Sequence, residues 1–445
     1  MKIPLAAGEE KEKVMARNTD IALRNQVMYS IYVRNYSKEG TFKAVERDLD
    51  RIKELGVDII WFMPIHPVGE KAKKGELGSP YAIRDYRAIN PEFGTIEDFK
   101  SVVAAINEKG MKCIIDVVYN HTSPDSWLVE HHPEFFYKKE DGSMGNRVGD
   151  WSDIVDLDYN NKDLWDYQIE TLKMWAGIVD GFRCDVAPLI PIEFWLRARE
   201  EVAEVNPNCI WLSESIEPEF ITHLRSRNMV AHSDSEVYQA FDMCYDYDIH
   251  RIFRDYVDGK CPLSEYAKRV NLQEAIYPAN YVKLRYLENH DQDRAASFIT
   301  DMWALRNWTA FIYFQKGMTL IYCGQEVAND KRPDLFNKDT INWNTGHDIS
   351  TDMSILSMIK REPIFTNSVY SLKAYDDEDI LVGTHESNGQ KMVGVFSFKG
   401  KEADVETGLA DSTYINLCDG RMVKVEGGKL HSAGRPIIIK SKKVK

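Results

Sequence analysis

Residues 177–188 read "GIVDGFRCDVAP". An apolar-leaning run ends in Arg183, Cys184 and Asp185, and Pro188 follows closely. On an extended chain, residues two apart project to the same side, so Arg183 and Asp185 form a guanidinium–carboxylate pair at the end of a buried strand. Taken alone, that pair is either a structural ion pair or a carboxylate held ionised for chemistry. The surrounding chain decides between them.

Seven other runs share the pattern. "QVMYSIYV" (26–33), "VDIIWFMP" (57–64) and "KCIIDVVY" (112–119) precede "VDGFRCDV" (179–186), while "CIWLSES" (209–215), "FDMCYDYD" (241–248), "YVKLRYLE" (281–288) and "MTLIYCG" (318–324) follow it. Segments of helical period separate them. In "TFKAVERDLDRIKELG", Phe42, Val45, Leu49, Ile52 and Leu55 recur at three- and four-residue steps. "TIEDFKSVVAAINEKG" opens on Thr95 as a cap and stops at Gly110, and "DRAASFITDMWALRNWTAFIYFQKG" reads as one further helix. Eight strands each followed by a helix predict an α/β fold, a (β/α)8 TIM barrel. One connection, running on from Asn120, is far longer than the rest and rich in His, Pro, Asp and Gly. It leaves the third strand at the C-terminal end, where barrel sites form, so it is read as functional. After about residue 370 the helices stop and alternating runs with turn signals predict a small antiparallel β module. The expected organisation is a catalytic barrel over 1–119 and 166–369, a short inserted domain over 120–165 and a C-terminal β-sandwich over 370–445.

Bulk properties fit this plan. The chain has 445 residues, 44% of them hydrophobic, enough for a large core. A net charge of −14 makes it a poor partner for polyanions, which argues against nucleic acid and anionic membrane. Seven cysteines show no paired spacing, and most lie in apolar runs, as buried thiols of a reducing compartment would. The opening "MKIPLAAGEEKEKV" has no long apolar core, so a cytoplasmic protein without a signal peptide is expected; a mature exported form would read the same.

In a barrel, polar groups at strand C-terminal ends share one site. The third strand offers Asp116, Asn120 and His121; the fourth Arg183 and Asp185; the fifth Glu214; the seventh Glu288, Asn289, His290 and Asp291. Each has a structural explanation singly: Asp116 as a buried carboxylate, "ENHD" as a turn. Their joint occurrence at four strand ends points to chemistry. Carboxyl groups crowded together cannot all ionise freely, so their pKa values separate, one staying ionised as a nucleophile and another protonated as an acid. Glycoside hydrolysis needs that division. Arg183 would favour the ionised form of Asp185, and Glu214, flanked by Ser213 and Ser215 with no adjacent cation in sequence, is the candidate for a raised pKa.

"DVVYNH" (116–121), "GFRCD" (181–185), the Glu of "WLSES" (211–215) and "NHD" (289–291) resemble, in order, the four signature stretches of the α-amylase family of glycoside hydrolases. "GVDIIWFMPI" (56–65), "GSPYAIRDYRAINPEFGTIEDF" (78–99) and "GMTLIYCGQE" (317–326) resemble its supporting stretches. The resemblance, over roughly 26–365, implies a retaining double displacement. Asp185 matches the nucleophile, Glu214 the general acid/base and Asp291 the third carboxylate. Arg183 matches the Arg that orients the nucleophile, His121 and His290 the pair that hydrogen-bond the sugar, and Tyr81 the aromatic on which that ring stacks. The long loop would be a short domain B.

The chain departs from the family where Pro188 and Leu189 replace a common Lys-His pair. That Lys reaches the sugar beyond the cleaved bond, and the His belongs to a calcium site. Asn120 and Asp156 match two other positions of that site, so calcium is left open, no metal is assigned and no cofactor is required. "IVDLDYN" (154–160) is similar to the form found in α-amylases, which implies α-1,4-glucans such as maltodextrins and starch. Arg294, in "NHDQDR", stands where some oligosaccharide-acting members bind substrate. A 4-α-glucanotransferase or an oligosaccharide α-glucosidase shares the same intermediate, and acceptor-site shape separates them from a hydrolase. A non-catalytic binding barrel would be expected to have lost the carboxylates. The motifs leave oligomeric state open.

Overall fold

The computed structural model describes residues 18–148 and 151–441; the opening stretch 1–14 read above for an export signal lies outside them. Eight parallel strands close a barrel: β1 (Val27–Ile31), β2 (Ile59–Phe62), β3 (Lys112–Val117), β4 (Gly181–Cys184), β5 (Ile210–Ser213), β6 (Met243–Tyr245), β7 (Val282–Arg285) and β8 (Met318–Tyr322). Each pairs with its neighbours in sequence, and β8 closes on β1. All eight apolar runs read from the sequence are barrel strands. They are buried on both faces, which is why they read as nearly continuous apolar runs. Gly181 shows how tightly they meet, because a Cβ there would lie 2.3 Å from the Ile210 carbonyl oxygen.

The intervening helices follow their sequence signals with two exceptions. Thr95 and Asp98 form a reciprocal cap on helix Ile96–Glu108, and Gly110 takes a positive φ of 68° just past its end. The segment over 41–56 is two short helices, Phe42–Glu46 and Leu49–Glu54, rather than one. The break falls at Asp48, whose carboxylate accepts from the Tyr36 hydroxyl and the Arg51 guanidinium. The stretch after Asp293 is also divided, into Ala295–Phe298 and Met302–Phe314, because Asp301 caps the second helix by accepting from the Ala304 N–H at 2.8 Å.

The long connection after β3 is folded. His121–Thr122 pairs antiparallel with Val155–Asp156, and a short helix, Trp127–His131, lies between them. The C-terminal region forms two four-stranded antiparallel sheets. One holds β9 (Val369–Tyr375), β10 (Ile380–Ser387), β11 (Gln390–Ser397) and β16 (Ile437–Lys440); the other holds β12 (Glu402–Glu406), β13 (Ser412–Ile415), β14 (Met422–Glu426) and β15 (Lys429–Ala433). They enclose one apolar core that includes Ile380, Val393, Val405, Val425 and Ile439, the expected sandwich. Phe398 stacks on Trp308 of the barrel and joins the two units. No helix among the described residues is long and apolar enough to cross a membrane.

Candidate active site

Strand register builds the site. Asp116 on β3 is the direct partner of Arg183 on β4, and Cys184 is the partner of Ser213 on β5. The next residues, Asp185 and Glu214, therefore leave adjacent strands at the same level. The Asp185 N–H donates to the Val117 carbonyl at 2.8 Å, and the Glu214 N–H donates to the Cys184 carbonyl at 3.0 Å.

One guanidinium serves three carboxyl groups. Arg183 Nη1 donates to Asp116 Oδ1 at 2.8 Å and to Asp185 Oδ1 at 2.9 Å. Its Nη2 lies 2.9 Å from Glu214 Oε1, an ion-pair contact not aligned as a hydrogen bond. Glu214 thus has a neighbouring cation, contrary to the sequence expectation, because the barrel brings β4 and β5 together. Arg183 and Asp116 are fully buried, whereas Asp185 and Glu214 keep 7% and 6% exposure at the barrel mouth.

Burial dominates the proton affinities. It pushes Glu214 up to about 8; Arg183 opposes this, while Asp185 and Asp291 add to it. It raises Asp185 to about 6, again against Arg183 and with help from Asp116. The sequence expectation that Arg183 favours the ionised Asp185 holds in sign, but burial outweighs it. Asp116 is raised by burial to about 6. Burial opposes ionisation of Asp291 too, yet His290 and Arg183 overcome it, and its pKa lies below the usual value. The acids are therefore separated as expected: Glu214 holds its proton to a higher pH than Asp185.

Val186, directly after Asp185, has φ of 36°. The left-handed region is an outlier for a β-branched residue and stores on the order of 1–3 kcal/mol. That backbone turns the Val186 N–H onto Glu214 Oε2 at 2.8 Å, tying the loops after β4 and β5 together. Tyr247 approaches the other oxygen, its hydroxyl 3.5 Å from Oε1.

Tyr81 and His290 form a wall. Their rings stack with centroids 5.4 Å apart at 18°. The Tyr81 hydroxyl donates to Asp116 Oδ2 at 3.1 Å and lies 2.7 Å from His290 Nε2, which is also 3.0 Å from Asp291 Oδ2. Since that hydroxyl gives its proton to Asp116, its oxygen accepts from the His290 Nε2–H. Burial disfavours the charged form of His290, but Asp291 more than compensates, and the His290 pKa is raised. His121 lies on the ribbon opposite Asp156, its ring 5.7 Å from Trp151. The structure thus gathers Tyr81, Arg183, Asp185, Glu214, His290 and Asp291 into one connected network. It also draws in Asp116, which the sequence offered equally as a buried structural carboxylate, together with Tyr247 and the Val186 N–H, for which no sequence signal was read.

Arg294 and Glu288 belong elsewhere. Arg294 Nη1 donates to Glu288 at 2.7 Å, Nη2 donates to the Cys323 carbonyl at 3.0 Å, and both side chains are buried. Glu288, six residues before it, thus holds the guanidinium that was expected to contact substrate. The calcium positions also fit poorly. The Asn120 amide donates to His121 Nδ1 at 3.2 Å, Asp156 Oδ2 accepts from the Arg147 N–H at 2.7 Å, and the Arg147 guanidinium stands 3.7 Å from both Asp156 and Asp158. Asp156 Oδ1 is the buried oxygen left over, Leu189 supplies no donor, and among the described residues no three His, Cys, Asp or Glu side chains are grouped to hold a metal.

Carboxyl groups of graded proton affinity at the C-terminal mouth of a parallel barrel define a glycosidase-type site. The family model described as "Alpha amylase, catalytic domain" matches residues 17–143 and 148–368, and "Bacterial Alpha amylase C-terminal domain" matches 371–439. The chain belongs to the α-amylase family and is a glycoside hydrolase. A solved α-amylase from Lactobacillus plantarum is 46% identical, with a TM-score of 0.93 over 95% of this chain and 100% of that one. A "noncanonic maltogenic alpha-amylase" from Thermotoga neapolitana is 34% identical, with a TM-score of 0.85 over 94% and 99% of the two chains. "Alpha-amylase 2" of Dictyoglomus thermophilum is 24% identical over 434 residues, covering 86% of this chain and 72% of that protein.

Proposed function

We propose that this enzyme hydrolyses α-1,4-glucosidic bonds of maltodextrins and starch-type glucans with retention of configuration. Asp185 is the nucleophile. Of the two carboxyls that reach the barrel mouth beside Arg183 it is more acidic than Glu214, so it can be ionised while Glu214 still carries its proton. Glu214 Oε1 or Oε2 delivers that proton to the departing glycosidic oxygen as Asp185 attacks the anomeric carbon. The same carboxylate then takes a proton from a water whose oxygen bonds to the anomeric carbon, and the ester bond to Asp185 breaks, freeing the sugar and the Asp185 carboxylate. Retaining enzymes hold these carboxyls roughly 5–5.5 Å apart, and a shared guanidinium enforces such proximity. Asp291, kept ionised by His290, would stabilise the positive charge that develops on the sugar ring. Tyr81, His121 and His290 would hold that ring.

The graded pair on one guanidinium carries this reading. The seven unpaired cysteines suit a reducing, cytoplasmic setting. The test is product analysis over time on maltoheptaose and starch, with NMR assignment of the first anomer formed. Shorter α-maltodextrins are expected first. Products of β configuration would refute retention, and chains longer than the substrate as the main product would make the enzyme a glucanotransferase.

A further inference from the structure

The polar neighbours of Glu214 differ in kind. The Val186 N–H is fixed by the backbone, and the Arg183 guanidinium is divided among three carboxyls. Tyr247, the first residue of the helix Tyr247–Val257 after β6, brings a neutral hydroxyl to 3.5 Å from Glu214 Oε1. The direction of that contact is set from behind. Asn289 Oδ1 accepts from the Asp291 N–H at 2.9 Å and from the Gln292 N–H at 3.1 Å, which fixes the orientation of the amide. Asn289 Nδ2 is then the donor, and it reaches the Tyr247 hydroxyl oxygen at 3.4 Å. A hydroxyl that accepts from Asn289 keeps its own proton free for Glu214. Burial, and next the Glu214 charge, raise the proton affinity of Tyr247, so it remains a donor. Its ring is held by stacking on Tyr245, with centroids 5.3 Å apart at 16°, and by the edge of Tyr286 at 6.1 Å.

We propose that Tyr247 is a positioning residue for the general acid/base: Asn289 turns its hydroxyl proton onto Glu214, and that proton holds the Glu214 carboxylate between the two chemical steps. The proposal rests on Glu214 acting as described. In the first step Glu214 gives its proton to the departing oxygen, and in the second it regains one from water. The Tyr247 proton stays on Tyr247 throughout. Between the steps the carboxylate is buried among Asp116 and Arg183 of β3 and β4, Asp185 after β4, Tyr245 of β6, and Tyr286, His290 and Asp291 after β7. A directed donor counts for more on a buried anion than in water. The 3.4 and 3.5 Å contacts are long in the resting enzyme, and such contacts tighten as charge develops.

The experiment is the pH profile of kcat/KM on maltoheptaose for the parent enzyme, Tyr247→Phe and Glu214→Gln. Tyr247→Phe removes one oxygen and keeps the stacked ring. Losing a donor to the charged form makes Glu214 hold its proton more tightly. The alkaline limb, set by Glu214 near pH 8 in the parent, should therefore move up by about 0.5–1 pH unit, the net worth of one hydrogen bond. The acid limb set by Asp185 should stay in place, and the plateau should fall about three- to tenfold as Glu214 loses its orientation. A purely structural role for Tyr247 would lower the plateau and leave the alkaline limb where it was. An alkaline limb that is unmoved or shifted down in Tyr247→Phe overturns the proposal and leaves Glu214 as the acid, as does an equal displacement of both limbs. An alkaline limb that persists in Glu214→Gln removes instead the reading of Glu214 on which the proposal stands.

Discussion

Two clusters of buried charge sit in one barrel and are made of the same residue types. At the mouth, Arg183 alone faces Asp116, Asp185 and Glu214. Behind β6 and β7, Lys283 meets Asp234 and Asp248, and Arg285 Nη1 donates to both oxygens of Asp246 at 2.9 and 2.8 Å. There Gln273 donates to Asp246 and Asp248 at 2.9 Å, and Tyr277 donates to Asp248 at 2.8 Å. Burial pushes Asp234 and Asp246 up, but Lys283 and its hydrogen-bonding neighbours draw Asp248 below the ordinary value. The second cluster has two cations for three carboxylates and neutral donors to fill the gaps. The first has one cation and an opening to solvent. On the proposed mechanism, reactivity in this barrel comes from a shortage of countercharge, and where the countercharge is supplied the same kinds of group serve as scaffold.

Substituting each cluster should separate the two roles. Asp185→Asn should lower kcat on maltodextrins by at least about ten-thousand-fold, the scale for losing a nucleophile that acts as part of a unit. Its melting temperature should be unchanged or higher, since one carboxyl leaves a cluster short of cations. Asp246→Asn should do the reverse, destabilising the fold by about 3–5 kcal/mol because Arg285 is left buried without its partner, while the folded fraction keeps its kcat. Calorimetry and kinetics on both variants check the pair. Asp185→Asn with near-normal turnover, or Asp246→Asn with an unshifted melting temperature, would erase the distinction.

Next in size is Glu214→Gln. It should slow natural glucans by roughly 10²–10⁴-fold and an aryl α-maltoside far less in its first step, because a good leaving group needs little protonation. In the parent enzyme, kcat/KM should rise as Asp185 ionises near pH 6 and fall as Glu214 loses its proton near pH 8. Glu214→Gln should lose the alkaline limb. Stability should respond too. Between the ordinary Glu value and about 8, the folded state holds a proton that the unfolded state has released, so this group's contribution falls as pH rises through that window. Glu214→Gln should therefore melt with a shallower pH dependence over that range. An unaltered slope would show that Glu214 is not the group with the raised pKa.

Smaller effects test the wall and the ribbon. Tyr81→Phe keeps the ring but removes the donor to Asp116 and the partner of His290, so it should cost about 1–3 kcal/mol of transition-state stabilisation rather than behave as a silent change. Tyr81→Ala should cost at least as much in kcat/KM. A variant of either kind with undiminished kcat/KM would remove Tyr81 from the site. Excess EDTA should leave the melting temperature nearly unchanged, whereas an ion bound at a hundred times its Kd would contribute about 2.7 kcal/mol. A large fall would assign a metal to Asn120 and Asp156 after all.

The barrel was legible because its strands are buried on both faces and so stand out as apolar runs, and the carboxyls were legible because barrel chemistry gathers at strand ends. What escaped depends on neighbours remote in sequence. The ion pair of Glu214 with Arg183 arises from the β4–β5 register, and Asp116 joins the cluster because it is the register partner of Arg183. The pairing of Arg294 with Glu288 was not read from the sequence, because Glu288 stands among the strand-end carboxyls and only the fold joins the two side chains. Asp301 did carry a local signal, a capping residue within a helical pattern, and could have been read as the start of a new helix.

The central claim is that Asp185, and not another carboxyl on or near Arg183, forms the bond to sugar. The direct measurement is to mix Glu214→Gln with α-maltosyl fluoride, whose leaving group needs no acid, quench, and locate the adduct by mass spectrometry of peptides. The account predicts one maltosyl group, on the peptide containing Asp185. An adduct on Asp116 or Asp291, or sustained fluoride release with no adduct at any time, would contradict it.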